Sequence, residues 1–232
     1  LLGRSNLEDY DFEFYVDGFE SSDVTAQSIL NRSTSDINHS GTGVLTQVFV
    51  DHEWDNATGR IVITCVNTWL AQVATGYNET RESATLTVYN YYNSVTDSTS
   101  HTTKVVSSND LDNVTDLVED EFVLVNMSAK DASSLVDWND YEVVRINDVE
   151  ILADSTITRY SKRSDSDPFS DDNVALFDSV TSGGVEYAGA EKAVYSDEVL
   201  DLYNNNLLTG RSYNIYLDPY GNAIGVDLYA GE

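Results

Sequence analysis

The chain has 232 residues, with 40 Asp and Glu against 12 Lys and Arg, for a formal net charge of -28. A field of that sign repels phosphate backbones and anionic lipid, which argues against nucleic acid and membrane surfaces and favours cations or basic proteins as partners. Hydrophobic residues at 41% and charged residues at 22% fit a folded chain, long enough for one domain or several small ones with real cores.

The opening, "LLGRSNLEDYDFEFYVDGF", carries no cleavable signal, and no stretch approaches 18 apolar residues. A mature or excised segment of a longer protein, without membrane insertion, is expected. The 15 Tyr, the many Val and Thr and the two Pro favour strands throughout. The first strands are expected at Asp11 to Val16, Val44 to Val50 and Arg60 to Val73. Next come Ser83 to Tyr92, Thr102 to Val106 and Glu121 to Met127, then Tyr141 to Leu152, Ser155 to Ser161, "VEYAG" and "KAVY". Six N-x-S/T sequons, at Asn31, Asn38, Asn56, Asn78, Asn113 and Asn126, carry little weight in a chain so rich in Ser, Thr and Asn.

Two short helices are expected. In "SDEVLDLYNNNLL", Ser196 can cap, Asp197 and Glu198 suit the first turn, and Val199, Leu200, Tyr203 and Leu207 share a face. A weaker pattern joins Leu111, Val114 and Val118. The last element is a hairpin, "YNIYLDPYGNAIGV". Asp218 and Pro219 suit a type I turn there, and Gly221 the positive φ that closes it. Tyr213, Ile215 and Leu217 face one way with Ile224 and Val226, leaving Asn214 and Tyr216 on the other face.

The strand–turn–strand pattern recurs at Gln47, Phe122 and Tyr213, and the first two return strands run on into the next copy. The expected fold is mainly β: tandem small β-barrel or sandwich modules joined by continuous strands, with one or two short helices. Boundaries near Ala74 and Glu150 would give modules at 1–73, 74–149 and 150–232.

Catalytic chemistry is scarce. The only cysteine, Cys65, sits among Ile63, Val66 and Trp69, which suits a small core residue. His39, His52 and His101 each lack a second His or Cys at ligand spacing. HExxH, CxxC, GxSxG and a phosphate-cradling glycine loop are all missing. With 40 acids, a hydrolytic carboxylate pair could form in almost any fold, and spacing cannot identify one. The segments "DYDFEFYVDGFE" and "DWND" mix aromatics and acids as sugar sites do, and equally as solvated strand ends do. The loop "SDSDPFSDDN" offers Asp165, Asp167, Asp171 and Asp172 as hard oxygen ligands for calcium, although the EF-hand glycine and closing glutamate are absent.

Several stretches resemble segments of S-layer-homology-domain surface proteins of clostridial Gram-positive bacteria. They are "VNTWLAQVATGYNETRESATLTVY", "VLVNMSAKD", "TSGGVEYAGAEKAVY" and "LLTGRSYNIYLDPYGNAIGVDLY". The resemblance runs over Ile61 to Glu232 and thins over the first 40 residues. It implies a secreted, wall-associated multidomain protein with stacked small β domains, this chain being an interior segment apart from the helical anchoring repeats. Other cell-surface or cell-wall proteins, or further copies, would be its partners. A structural spacer or lattice element is the leading reading. A binding module for host protein or glycan is the alternative, with contacts at Trp54 in the Asp51 to Gly59 loop and Trp138 in the Met127 to Asp140 loop. A two-carboxylate hydrolase ranks third.

Overall fold

The computed structural model describes residues 10–20, 43–51, 59–89, 101–129, 140–163 and 177–229. The fold is mainly β, with one α-helix among the described residues. Two compact units divide the chain. The first takes Leu1–Asn67 and Met127–Glu142, the second Thr68–Asn126 and Val143–Glu232.

In the first unit β1 (Tyr10–Val16), β2 (Phe19–Glu20), β3 (Leu45–Asp51) and β4 (Gly59–Val66) form a sheet of order β2-β1-β4-β3. β4 alternates strictly between buried and half-buried positions, so Ile61, Ile63 and Cys65 meet Tyr10, Phe14 and Val16 of the parallel strand β1 in one cluster. Cys65 is fully buried there, as its apolar neighbours imply. β3 is the edge strand and is exposed along its whole length.

The apolar run from Arg60 to Val73 is broken at Asn67 and Thr68, and polar chemistry explains why. Asp17 sits at positive φ in the β1–β2 turn and is buried, and its carboxylate reaches across to Asn67. The Asn67 backbone N–H donates to Asp17 Oδ1 at 2.7 Å and Asn67 Nδ2 donates to Oδ2 at 2.7 Å. The Asp17 N–H donates in turn to the Cys65 carbonyl at 2.9 Å. Both oxygens of a buried carboxylate are thus satisfied, which is what makes its burial tolerable.

The second unit holds two β assemblies, apart from Met127–Ala129 and Tyr141–Glu142, which are counted with the first. β5 (Trp69–Asn78), β6 (Ser83–Tyr89), β7 (His101–Ser107), β8 (Phe122–Ala129) and β9 (Tyr141–Asp148) form a sheet of order β7-β6-β5-β8-β9. β10 (Glu150–Lys162), β11 (Phe177–Ser182), β12 (Val185–Tyr195), β13 (Ser212–Leu217) and β14 (Ala223–Leu228) close into a barrel. Helix α1 (Asp197–Asn204) lies between its third and fourth strands. β10 pairs antiparallel with both β11 and β13, and β12 runs parallel to β14. Strand order 1-2-3-5-4 with the helix after the third strand is the arrangement of an OB-fold barrel. β10 serves both halves of the barrel by slipping register between Leu152 and Ser155, with Asp154 at positive φ.

Phe177 is the hub of the barrel interior. Its ring meets Tyr195 at 5.1 Å, Tyr203 at 5.4 Å and Tyr160 at 5.8 Å, each edge to face, the geometry the ring quadrupoles favour. α1 buries Val199 and Tyr203 as its periodicity predicts. Leu207, however, is 53% exposed, while Leu208 is fully buried. The helix ends at Asn204, so the 3.6-residue period no longer governs Leu207. The Tyr213 hydroxyl donates to the Leu208 carbonyl at 2.7 Å and fixes this turn in the core. Lys162 Nζ lies 4.1 Å from the centroid of the Tyr203 ring and donates to Asn206 Oδ1 at 3.0 Å. It supplies the cation that the last helical turn itself lacks.

The second expected helix is only a 3-10 turn, Val114–Asp116, which buries Val114 and Leu117 and leaves Val118 exposed. The final hairpin forms in the expected register of turn residues. Asp218 Oδ1 accepts from the backbone N–H groups of Tyr220 and Asn222, each at 2.8 Å, and Gly221 takes φ +79°. Tyr216 lies on the face away from Ile215 and Leu217, as expected, against Phe122 of the sheet. It is only 5% exposed, because the outer face of this hairpin is covered by the β5–β9 sheet.

Candidate functional site

The contact between that sheet and the barrel leaves a cleft of about 410 Å³. Strand alternation puts its walls in place. On the sheet side Leu70 and Gln72 are two residues apart on β5 and share a face, and Gln72 lies opposite Phe122 of β8. Tyr89 comes from the end of β6. On the barrel side Tyr216 of β13 pairs with Gly225 of β14, and Asp227 lies two residues further along β14. The start of α1 adds Ser196 and Glu198.

Gly225 is what allows the two assemblies to meet. A Cβ there would lie 2.7 Å from Leu70 Cδ2 and 2.9 Å from Tyr216 Cδ2. Tyr216 packs on Phe122 with ring centroids 4.7 Å apart, bridging barrel and sheet. Leu70, Tyr89 and Leu124 belong to the same hydrophobic cluster as the barrel interior, so the core of the barrel runs into the sheet.

The cleft carries polar groups on aromatic walls. The Tyr89 hydroxyl donates to Gln72 Oε1 at 3.2 Å, which orients the amide. Burial drives the Tyr216 phenol up to about 12, with Asp227 and Tyr89 adding to the effect. Burial and the Asp227 carboxylate raise the Tyr89 phenol as well. Both rings are therefore neutral at pH 7 and serve as hydroxyl donors and π faces rather than nucleophiles. Two carboxylates, Asp227 and Glu198, complete the lining, Glu198 being exposed to solvent. Ser196 occupies the N-cap position of α1 in extended backbone, yet its hydroxyl makes no capping bond and is buried at the cleft wall. Among the described residues, no Lys, Arg, His or Cys lines the cleft. The arrangement can hold a ligand through ring faces, hydroxyl donors and carboxylate acceptors.

The residues singled out from sequence as contacts, Trp54 and Trp138, and as calcium ligands, Asp165, Asp167, Asp171 and Asp172, lie outside the described residues. The acidic loop joins the first two barrel strands, β10 and β11. The remaining tryptophan, Trp69, is 2% exposed and belongs to the core of the second unit. Among the described residues, no group of three or more His, Cys, Asp or Glu is placed to hold a metal ion. The cleft escaped sequence reasoning because its parts are scattered from Leu70 to Asp227. The one available signal was an aromatic residue, Tyr216, on the polar face of an alternating hairpin. No protein-family model, curated protein or solved structure matches the chain.

Proposed function

We propose that the chain is a non-catalytic structural segment of a secreted bacterial cell-surface protein, a spacer or lattice element set among other wall proteins or further copies of itself. The supporting observation is the fusion of sheet and barrel in the second unit. The two assemblies follow one another after a single residue, Val149, and share one core through Leu70, Tyr89, Leu124 and Tyr216. Such a join resists shear better than two domains on a flexible linker, because displacement would expose buried aromatic surface. The resemblance to interior segments of S-layer-homology-domain proteins points the same way.

Sedimentation velocity over a concentration series, with calcium and with chelator, tests the lattice version. Concentration-dependent association that needs calcium is the expected result for a lattice element, with the Asp165 to Asp172 loop as first target for mutation. A monomer indifferent to calcium at all concentrations sinks it. Antibody labelling of intact and lysed source cells tests location, and labelling only after lysis removes the surface reading. A binding module is the second reading, favoured by the aromatic cleft between sheet and barrel.

A further inference from the structure

We propose that the cleft between the β5–β9 sheet and the barrel is a binding site for an organic cation, an ammonium or guanidinium group. This goes beyond the structural role and stands or falls independently of it.

Three aromatic side chains line the cleft, those of Tyr89, Phe122 and Tyr216, and π faces attract cations that are partly stripped of water. Two carboxyl groups, those of Asp227 and Glu198, add acceptors, and no basic residue is in the lining among the described residues. A second observation marks the interior as made for a ligand. Tyr216 is 5% exposed, and its hydroxyl, electrostatically coupled to Asp227 and Tyr89, makes no hydrogen bond among the described residues. The Ser196 Oγ at the cleft wall is buried without a partner among the described residues, a costly state unless a ligand meets it, and an ammonium held by Asp227 can donate an N–H to a hydroxyl oxygen of the lining.

The start of α1 opposes a cation through its dipole, but that fractional charge is outweighed by the two carboxyl groups of Asp227 and Glu198. A phosphate or carboxylate ligand faces the reverse balance and is disfavoured. The net charge of -28 concentrates cations near the whole surface and would speed their arrival. At about 410 Å³ the cleft has the size of a small-ligand site and holds a lysine or arginine side chain with accompanying water.

The test follows ring-labelled Tyr and Phe by NMR in the whole chain. The probe is Nα-acetyl-lysine N-methylamide, with the norleucine analogue as uncharged isostere and a methyl glycoside as neutral polar control. Saturable shifts at Tyr89, Phe122 and Tyr216 with the lysine probe, and none with the other two, are expected. Asp227→Asn should weaken binding about tenfold or more while keeping the wild-type thermal melt, and Glu79→Gln on the exposed β5–β6 turn should leave it unchanged. A lysine-containing heptapeptide that binds tenfold tighter than the amide identifies a polypeptide source, and equal affinity a free amine; either upholds the cation site. Equal binding by Asp227→Asn, equal response to norleucine or glycoside, or shifts spread over the surface would overturn it.

Discussion

The sheet of the first unit and the barrel of the second are built from similar strands and are held by different forces. The β1–β4 sheet joins its strands to Asn67 and across its face through charged and polar contacts. Besides the Asp17–Asn67 clasp, Arg60 pairs with Glu13, which also accepts from the Tyr15 hydroxyl at 2.9 Å. The barrel adds aromatic packing around Phe177 to its polar contacts, such as Arg163 with Glu191 and Asp178, and has no edge strand, whereas the sheet ends in β3 with Val48 and Phe49 more than half exposed. Closure lessens the need for polar fastening, since every strand finds both hydrogen-bonding neighbours and every inward side chain finds a core. An open sheet must secure its margins in another way.

The sharpest way to break the comparison is Phe177→Ala. Phe177 is 1% exposed and touches three rings, so truncation should cost the second unit about 4 kcal/mol, by the usual cost of emptying a buried aromatic site. Hydrogen exchange read peptide by peptide should show faster opening of β10 to β14 and unchanged protection of β1 and β4. Next comes Asp17→Ala, which orphans the buried Asn67 donors. A loss of about 3 kcal/mol is expected, confined to peptides 10–20 and 59–67, because charge-assisted bonds and unpaired buried donors each count heavily. If Asp17→Ala left exchange there unchanged, polar fastening of the first unit would be wrong.

These two residues also show what could be read without a structure. Strand positions were legible because alternation and β-branched composition are local signals, and β4 follows them residue by residue. The last turn was legible from Asp218, Pro219 and Gly221 alone. The Asp17–Asn67 clasp was not, since it joins residues 50 positions apart and breaks a run that looks continuous. Nor was barrel closure, which needs β10 to pair with β11 on one half and β13 on the other. The cleft depends on that closure and on a sheet docking against its outer face, so neither Tyr216 nor Asp227 announced itself.

Gly225→Ala sharpens the comparison within the second unit. The added methyl must displace Leu70 and Tyr216, a strain of about 2 kcal/mol in a filled interface. Denaturant unfolding should show the loss, with exchange rising on β5 and β14 rather than inside the barrel around Phe177. A change confined to the barrel interior would mean that the sheet–barrel contact contributes little.

The smallest effect is acid sensitivity, and its sign follows from Glu13. Its hydrogen bond from Arg60, aided by that from Tyr15, holds the carboxyl below the usual range. A carboxyl lowered on folding adds stability above its unfolded pKa, about 4.3, and that stability fades as pH falls through the lower folded value. The pair is partly solvated, so the effect is modest. The β1–β4 sheet should therefore lose protection as pH falls below about 4. Glu13→Gln should flatten that dependence in β1 and β4 while the barrel, which does not contain Glu13, responds to acid as before. Equal flattening in both units would show that the two are not separately fastened.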